Sequence, residues 1–224
     1  IGGTAEPAKV SFALKGDGVV LQVTYTGEMN SVLWNIYPTG WVLLEYQYQL
    51  EGARDVFGIG FEYPQERVKG VRWLGRGPYR VWKNRTRGGV LDVHRNKNKR
   101  HTPGLTWDFP EFEGYYRDWH WAVLETDQAA ITIVNMTEDL FLGLYRPDDG
   151  PDPRTTKLDV PETGIAFLHG IPAIGTKFHP AEALGPESGK NIASGKYRGA
   201  VWLHFGDLDA RRRPATIPPD MARN

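Results

Sequence analysis

Residues 41–50 read WVLLEYQYQL, and their alternation decides the fold class. Val42, Leu44, Tyr46, Tyr48 and Leu50 share one face, with Glu45, Gln47 and Gln49 opposite. A period of two is the signature of a strand with one buried face. Leu21, Val23 and Tyr25 alternate with Gln22, Thr24 and Thr26 in the same way. Working outward, further strands are expected over residues 11–14, 56–63, 71–74, 119–125, 129–135, 141–145, 165–169 and 199–205. Asp127-Gln128 fits a short hairpin turn between two of them. No stretch carries a helical apolar stripe, and the 26 glycines and 16 prolines fall mostly between strands, where turn chemistry needs them. The expectation is an all-β chain, a sandwich or barrel, forming one domain over residues 1–207 with an irregular tail over residues 208–224.

Composition narrows the functional classes. Twenty-seven basic and 27 acidic residues cancel, which argues against a nucleic-acid or anionic-membrane partner. The basic run over residues 94–101 is flanked by a Thr-Pro-Gly turn and reads as a solvated loop. Without cysteine there is no disulfide frame, thiolate metal site or cysteine nucleophile, and the compartment stays open. No apolar run approaches the length of a membrane span. Ile1 is not a natural start, so the chain is expected to be part of something larger.

The chemistry concentrates in one window. Trp73, Trp82, Trp107, Trp119 and Trp121 stand among Tyr79, Phe109, Phe112, Tyr115 and Tyr116, interspersed with arginines at 72, 76, 80, 85, 87 and 117. Flat rings beside planar charged donors suit a sugar, the ring covering its C–H face and the charged groups bonding its hydroxyls. The plain alternative is that the rings fill a β core. Trp73, Trp119, Trp121 and Trp202 lie in strand patterns and are expected in that core, whereas Trp82, Trp107 and Phe112 sit in polar surroundings and are expected to be exposed. Two irregular connections are expected, residues 75–116 and 170–189, the second carrying Lys177, Phe178, His179 and Glu182. Gly75-Arg76-Gly77-Pro78 reads as a sharp turn at a strand end that allows close backbone approach, with Arg76 and Arg85 bridging to carboxylates such as Asp118.

Other constellations are weaker. Glu111 and Glu113 are close in sequence but are not read as a retaining glycosidase pair, which needs two carboxyls about 5–5.5 Å apart across the sugar. His94, His120, His169 and Glu182 are candidates for the acid and base of a sugar mutarotase. Asp148, Asp149 and Asp152 have oxygen ligands suited to calcium but are interleaved with proline and glycine, as in a surface loop. No cofactor and no metal is expected.

Residues 57–89, FGIGFEYPQERVKGVRWLGRGPYRVWKNRTRGG, resemble the C-terminal β-sandwich of family 2 glycoside hydrolases, the small-chain domain of β-galactosidases. Three further blocks follow in the family's order: FPEFEGYYRDWHWAVLE at 109–125, IAFLHGIPAIGTKF at 165–178 and ASGKYRGAVWLHF at 193–205. The resemblance implies a large two-sheet antiparallel supersandwich of the galactose mutarotase-like type. It also implies a non-catalytic accessory module, because the family's two catalytic glutamates lie in a separate (β/α)8 barrel that needs about 250 residues. The chain departs from the family at Arg80 and Asn84, where acids are common, and over residues 111–114, and it lacks the family's late Asp-Asp-Ser-Trp. Phe178 is the counterpart expected for the aromatic that reaches toward the β-galactosidase active site.

The expected partners are therefore an oligosaccharide or polysaccharide and the catalytic barrel of a parent glycosidase. The expected carbohydrate contacts are Trp82, Trp107, Phe112, Tyr79, Arg80, Glu111, Phe178 and His179. Two alternatives stay open. One is an aldose mutarotase-like enzyme. The other is a purely structural domain, in which Trp82 and Trp107 would be covered by a neighbouring domain.

Overall fold

A computed structural model describes residues 5–96, 113–147, 154–206 and 208. The chain is all-β, and every strand pairing is antiparallel apart from one isolated bridge between Phe61 and Gly164. The strands are β1 (Glu6–Lys15), β2 (Gly18–Thr26), β3 (Met29–Ile36), β4 (Trp41–Arg54), β5 (Phe57–Phe61) and β6 (Val68–Val81). They continue with β7 (Val90–Asn96), β8 (Tyr115–Thr126), β9 (Ile131–Asn135), β10 (Phe141–Leu144), β11 (Ile165–Gly170) and β12 (Asn191–Phe205). Among the described residues the only helical pieces are short 3-10 turns.

The sheet runs β1-β2-β3-β4-β12-β9-β8-β10-β11-β5, with β6 on β8 and β7 on β6. Its spine is the long ladder from Asn191–Arg54 to His204–Trp41. A single register pair, Leu142–Tyr116, leads from the β8 side to the smaller β10-β11-β5 group. The sheet curls so that this group covers the face carrying Leu44, Trp73, Ile133 and Val201, and Phe167 and Trp119 stack between them at 6.3 Å. A second cluster joins Val81, Trp82 and Tyr115 to Leu158, Val160, Leu168, Ile171 and Ile174.

The alternation at 41–50 becomes β4, with Leu44, Tyr46 and Tyr48 buried. The Asp127-Gln128 turn joins β8 to β9. Two strands escape the sequence pattern. β3 carries Asn30 and Asn35 among its apolar residues, and β7 is almost wholly exposed. Residues 75–116 are consequently not one irregular connection: β6 runs on to Val81, and β7 pairs back along it from Gly77–Val90 to Val71–Asn96. Of the basic run, His94, Arg95 and Asn96 belong to β7, and the rest lies outside the described residues. Residues 170–189 are irregular, as expected, apart from two short 3-10 turns.

His169 fastens the small group to the large sheet. Its Nε2 lies 2.9 Å from the Arg198 carbonyl, which can only accept, so Nε2 carries the proton. Nδ1 then accepts from the Tyr48 hydroxyl at 2.6 Å. Burial lowers the pKa of this ring and raises those of Tyr46 and Tyr48. Tyr46 lies across Gly199, where an added Cβ would fall 2.1 Å from its ring. Its buried hydroxyl has no hydrogen-bond partner among the described residues, unlike that of Tyr48. Tyr46→Phe is therefore expected to leave stability unchanged or raise it by up to about 1 kcal/mol, since an unmet hydroxyl disappears. Chemical denaturation checks this, and a loss above about 1 kcal/mol would show that the hydroxyl is satisfied.

Candidate functional site

The arginine and aromatic segment over residues 71–85 is held mostly inside β6. Glycine is needed there because β7 and β8 come close: a Cβ on Gly75 would sit 2.9 Å from the Trp119 Cα, and one on Gly77 would sit 2.6 Å from His94. The Gly77-Pro78 peptide is cis. The expected close approach is present, but the segment continues the strand and does not turn its end.

Arg76 meets Asp118 at 2.9 Å as expected, and Arg117 reaches the same carboxylate oxygen at 3.0 Å. Both guanidinium groups also donate to the following loop, Arg76 to the Gly89 carbonyl and Arg117 to that of Thr86. Arg85 reaches no carboxylate among those described; it donates to the Gly175 carbonyl at 3.4 Å.

Two expected sugar contacts are corrected. Trp82 is 0% exposed, packed edge-on to Tyr115 at 5.5 Å inside the second core cluster. Reciprocal bonds between Trp82 and Arg85 close a tight turn, and the ring packs with Ile171 and Ile174. The chain itself covers Trp82; no neighbouring domain is required. Arg80 is 9% exposed and its buried Nη2 has no partner among the described residues, with its charge acting on buried Tyr116. The β6 register shifts between Arg76 and Val81, and a slip of register exchanges the faces that side chains occupy. Trp107, Glu111 and Phe112 lie outside the described residues, as do Asp148, Asp149 and Asp152. Trp73, Trp119 and Trp202 are buried as expected, whereas Trp121 is half-buried beneath Arg72.

The polar residues that made 82–85 look like an exposed platform are latches. Asn84 Nδ2 donates to the Ile174 carbonyl and to Ser188 Oγ, both at 2.9 Å, and Asn84 Oδ1 accepts from the Ile174 amide at 3.1 Å. Lys83 Nζ donates to the carbonyls of Gly189 and Lys190, and its amide to that of Pro172. The two regions singled out in the sequence are thus one assembly, in which the tip of β6 pins residues 171–190 at several points.

On that pinned loop, Phe178 is 74% exposed and His179 is also exposed. Their turn is ordered by three hydrogen bonds. Thr176 N donates to the His179 carbonyl, and Thr176 Oγ1 accepts from the amides of Phe178 and His179. The base of the loop borders a concavity of about 440 Å³ lined by Asp55, Lys157, Asp159, Glu182 and Lys190, among others. Lys190 pairs with Asp55 at 2.9 Å. Tyr79, the remaining expected contact, is 46% exposed near the end of β6. Charged side chains around a concavity that Gly175 and Pro180 help line, on either side of Phe178 in the chain, can bond sugar hydroxyls. The alternation at 41–50 was blind to this loop, whose polar lining comes from irregular segments.

The mutarotase candidates are placed separately. His169 has both ring nitrogens occupied by Tyr48 and Arg198, His94 sits against Trp73 with Nε2 on the Val90 carbonyl, and Glu182 borders the loop concavity. Among the described residues no cluster of His, Asp and Glu is arranged to hold a metal ion, and no helix is long and apolar enough to cross a membrane. No family model and no curated protein matches the chain.

Proposed function

We propose that this chain is a non-catalytic accessory β-sandwich module of a family 2 glycoside hydrolase, β-galactosidase-like, that binds or positions an oligosaccharide beside the catalytic barrel. The observation that carries the reading is Phe178, a large ring 74% exposed on a loop that Asn84 and Lys83 hold in place. An exposed aromatic on an ordered support has little conformational entropy left to lose on binding, which is the economy of a preorganised contact. The sequence resemblance supports the parent family, and the all-β fold agrees with it.

The test is titration of the isolated chain with neutral oligosaccharides, following the amide resonances of residues 176–179. Saturable shifts there are expected. Phe178→Ala should weaken them about tenfold or more, as truncation of an exposed aromatic anchor does, without moving the thermal midpoint. Binding at this loop that survives Phe178→Ala would overturn the assignment.

A further inference from the structure

The sheet face opposite the main core holds a second concavity, of about 620 Å³, far from any motif of the sequence. Register places its lining in two rows. Gln22, Leu33, Glu45 and Ala200 lie directly opposite one another across β2, β3, β4 and β12. Ser31, Gln47 and Arg198 form the adjacent row, two residues along each strand. With strands about 4.8 Å apart and residues about 3.4 Å apart, the rectangle measures about 14 Å by 7 Å.

Its chemistry is mixed in a particular way. The amides of Gln22 and Gln47 and the hydroxyl of Ser31 each donate and accept, Arg198 only donates, and Glu45 only accepts. Charges of both signs line the trough, Arg198 and Glu45 on the floor and Glu138 in the wall. Leu33 puts apolar surface between Gln22 and Glu45, and Ala200 ends the row against the wall. Gln22, Gln47 and Arg198 have no side-chain hydrogen-bond partner among the described residues, and Asn35 engages only Oε2 of Glu45, at 3.3 Å.

One wall is built and fixed. The turn at residues 136–138 is clamped to β12 at Ala200. The Met136 amide donates to the Ala200 carbonyl at 3.1 Å, and Thr137 Oγ1 accepts from the Ala200 amide at 2.8 Å. The Thr137 amide is in turn held by Asn135 Oδ1. Met136, 47% exposed, is a pliable apolar group at the rim.

We propose that this trough is a binding site for a neutral saccharide, separate from the Phe178 loop. Sugar hydroxyls both donate and accept, so they can use the polar groups of both rows, while Leu33, between Gln22 and Glu45, offers apolar surface to a C–H face. An anionic ligand would be repelled by Glu45 and Glu138, and a cationic one by Arg198. An apolar ligand would strip water from three unpaired polar side chains without replacing it. The trough uses only rigid strands and a clamped turn, so it is preorganised.

The test is amide-shift mapping of the chain titrated with a panel of gluco-, galacto- and xylo-configured disaccharides. Saturable shifts at Ser31, Gln47 and Arg198 are expected from at least one sugar. Gln47→Ala and Arg198→Ala should each weaken that response about tenfold, the loss of one strong hydrogen bond, and leave the thermal midpoint in place because neither side chain has a hydrogen-bond partner among the described residues. Gln22→Ala serves as a third variant, and Phe178→Ala should leave this response intact. The proposal is overturned by an unsaturated response at these residues across the panel, or by shifts that Gln47→Ala and Arg198→Ala leave unchanged.

Discussion

Trp82→Ala is expected to destabilise the protein by about 3–5 kcal/mol, the usual cost of emptying a fully buried aromatic site. The ring is 0% exposed and is enclosed with Val81, Tyr115, Ile171 and Ile174, so little can collapse into its place without moving either the β6 tip or the loop. Trp82→Phe should cost far less, because the indole Nε1 has no hydrogen-bond partner among the described residues to forfeit. Denaturant unfolding of the two variants checks the pair. A mild Trp82→Ala, below about 1 kcal/mol, would mean that the ring is not packed as described. The same geometry predicts a functional consequence. Losing Trp82 loosens the support of residues 171–190, so a drop in sugar binding in this variant would report a lost foundation and not a lost stacking surface.

That reversal shows where local sequence reading fails. Trp82 is followed by Lys83, Asn84 and Arg85, and three polar neighbours suggest solvent. Each instead bonds to a loop 90 to 106 residues away in the chain, mostly to its backbone. Nothing in a window of ten residues encodes such a partner. The strand patterns were legible for the opposite reason: the alternation of Leu44, Tyr46 and Tyr48 is enforced by one buried face and needs no knowledge of what covers it. β7 escaped because both of its faces are mostly exposed, so no periodic signal could form. The arginines divided along the same line. Arg76 and Asp118 were legible as a charge pair, whereas the burial of Arg80 follows from a register shift that leaves no mark in composition.

The candidate sites were legible to different degrees. Phe178 drew attention as a ring in a glycine- and proline-rich stretch, and the structure shows what holds that stretch. The trough on the second face had no signal at all. Gln22, Glu45 and Gln47 are the ordinary polar half of amphipathic strands until the register aligns them with Ser31 and Arg198. A binding surface assembled from four strands is a property of pairing, which periodicity within any one strand cannot reveal.

Removing the His169 tie should have the second large effect. His169→Phe keeps a ring of similar size but leaves the Tyr48 hydroxyl and the Arg198 carbonyl without their partner, an expected loss of about 2–4 kcal/mol for two orphaned groups. The tie is also sensitive to pH. Burial lowers the folded-state pKa of His169, so the native state holds the ring neutral, with Nδ1 free to accept from Tyr48. The unfolded chain takes up a proton near about pH 6.5, and below that pH it binds more protons than the native state does. The stabilisation is therefore fully present above about pH 6.5 and drains away as the pH falls toward the depressed native pKa. Unfolding free energies of wild type and His169→Phe, measured across that range, should converge as the solution is acidified. Curves that stay parallel would mean that the ring is not held neutral between Tyr48 and Arg198, and the Leu142–Tyr116 pairing and the packed core would then join the two groups of strands without it.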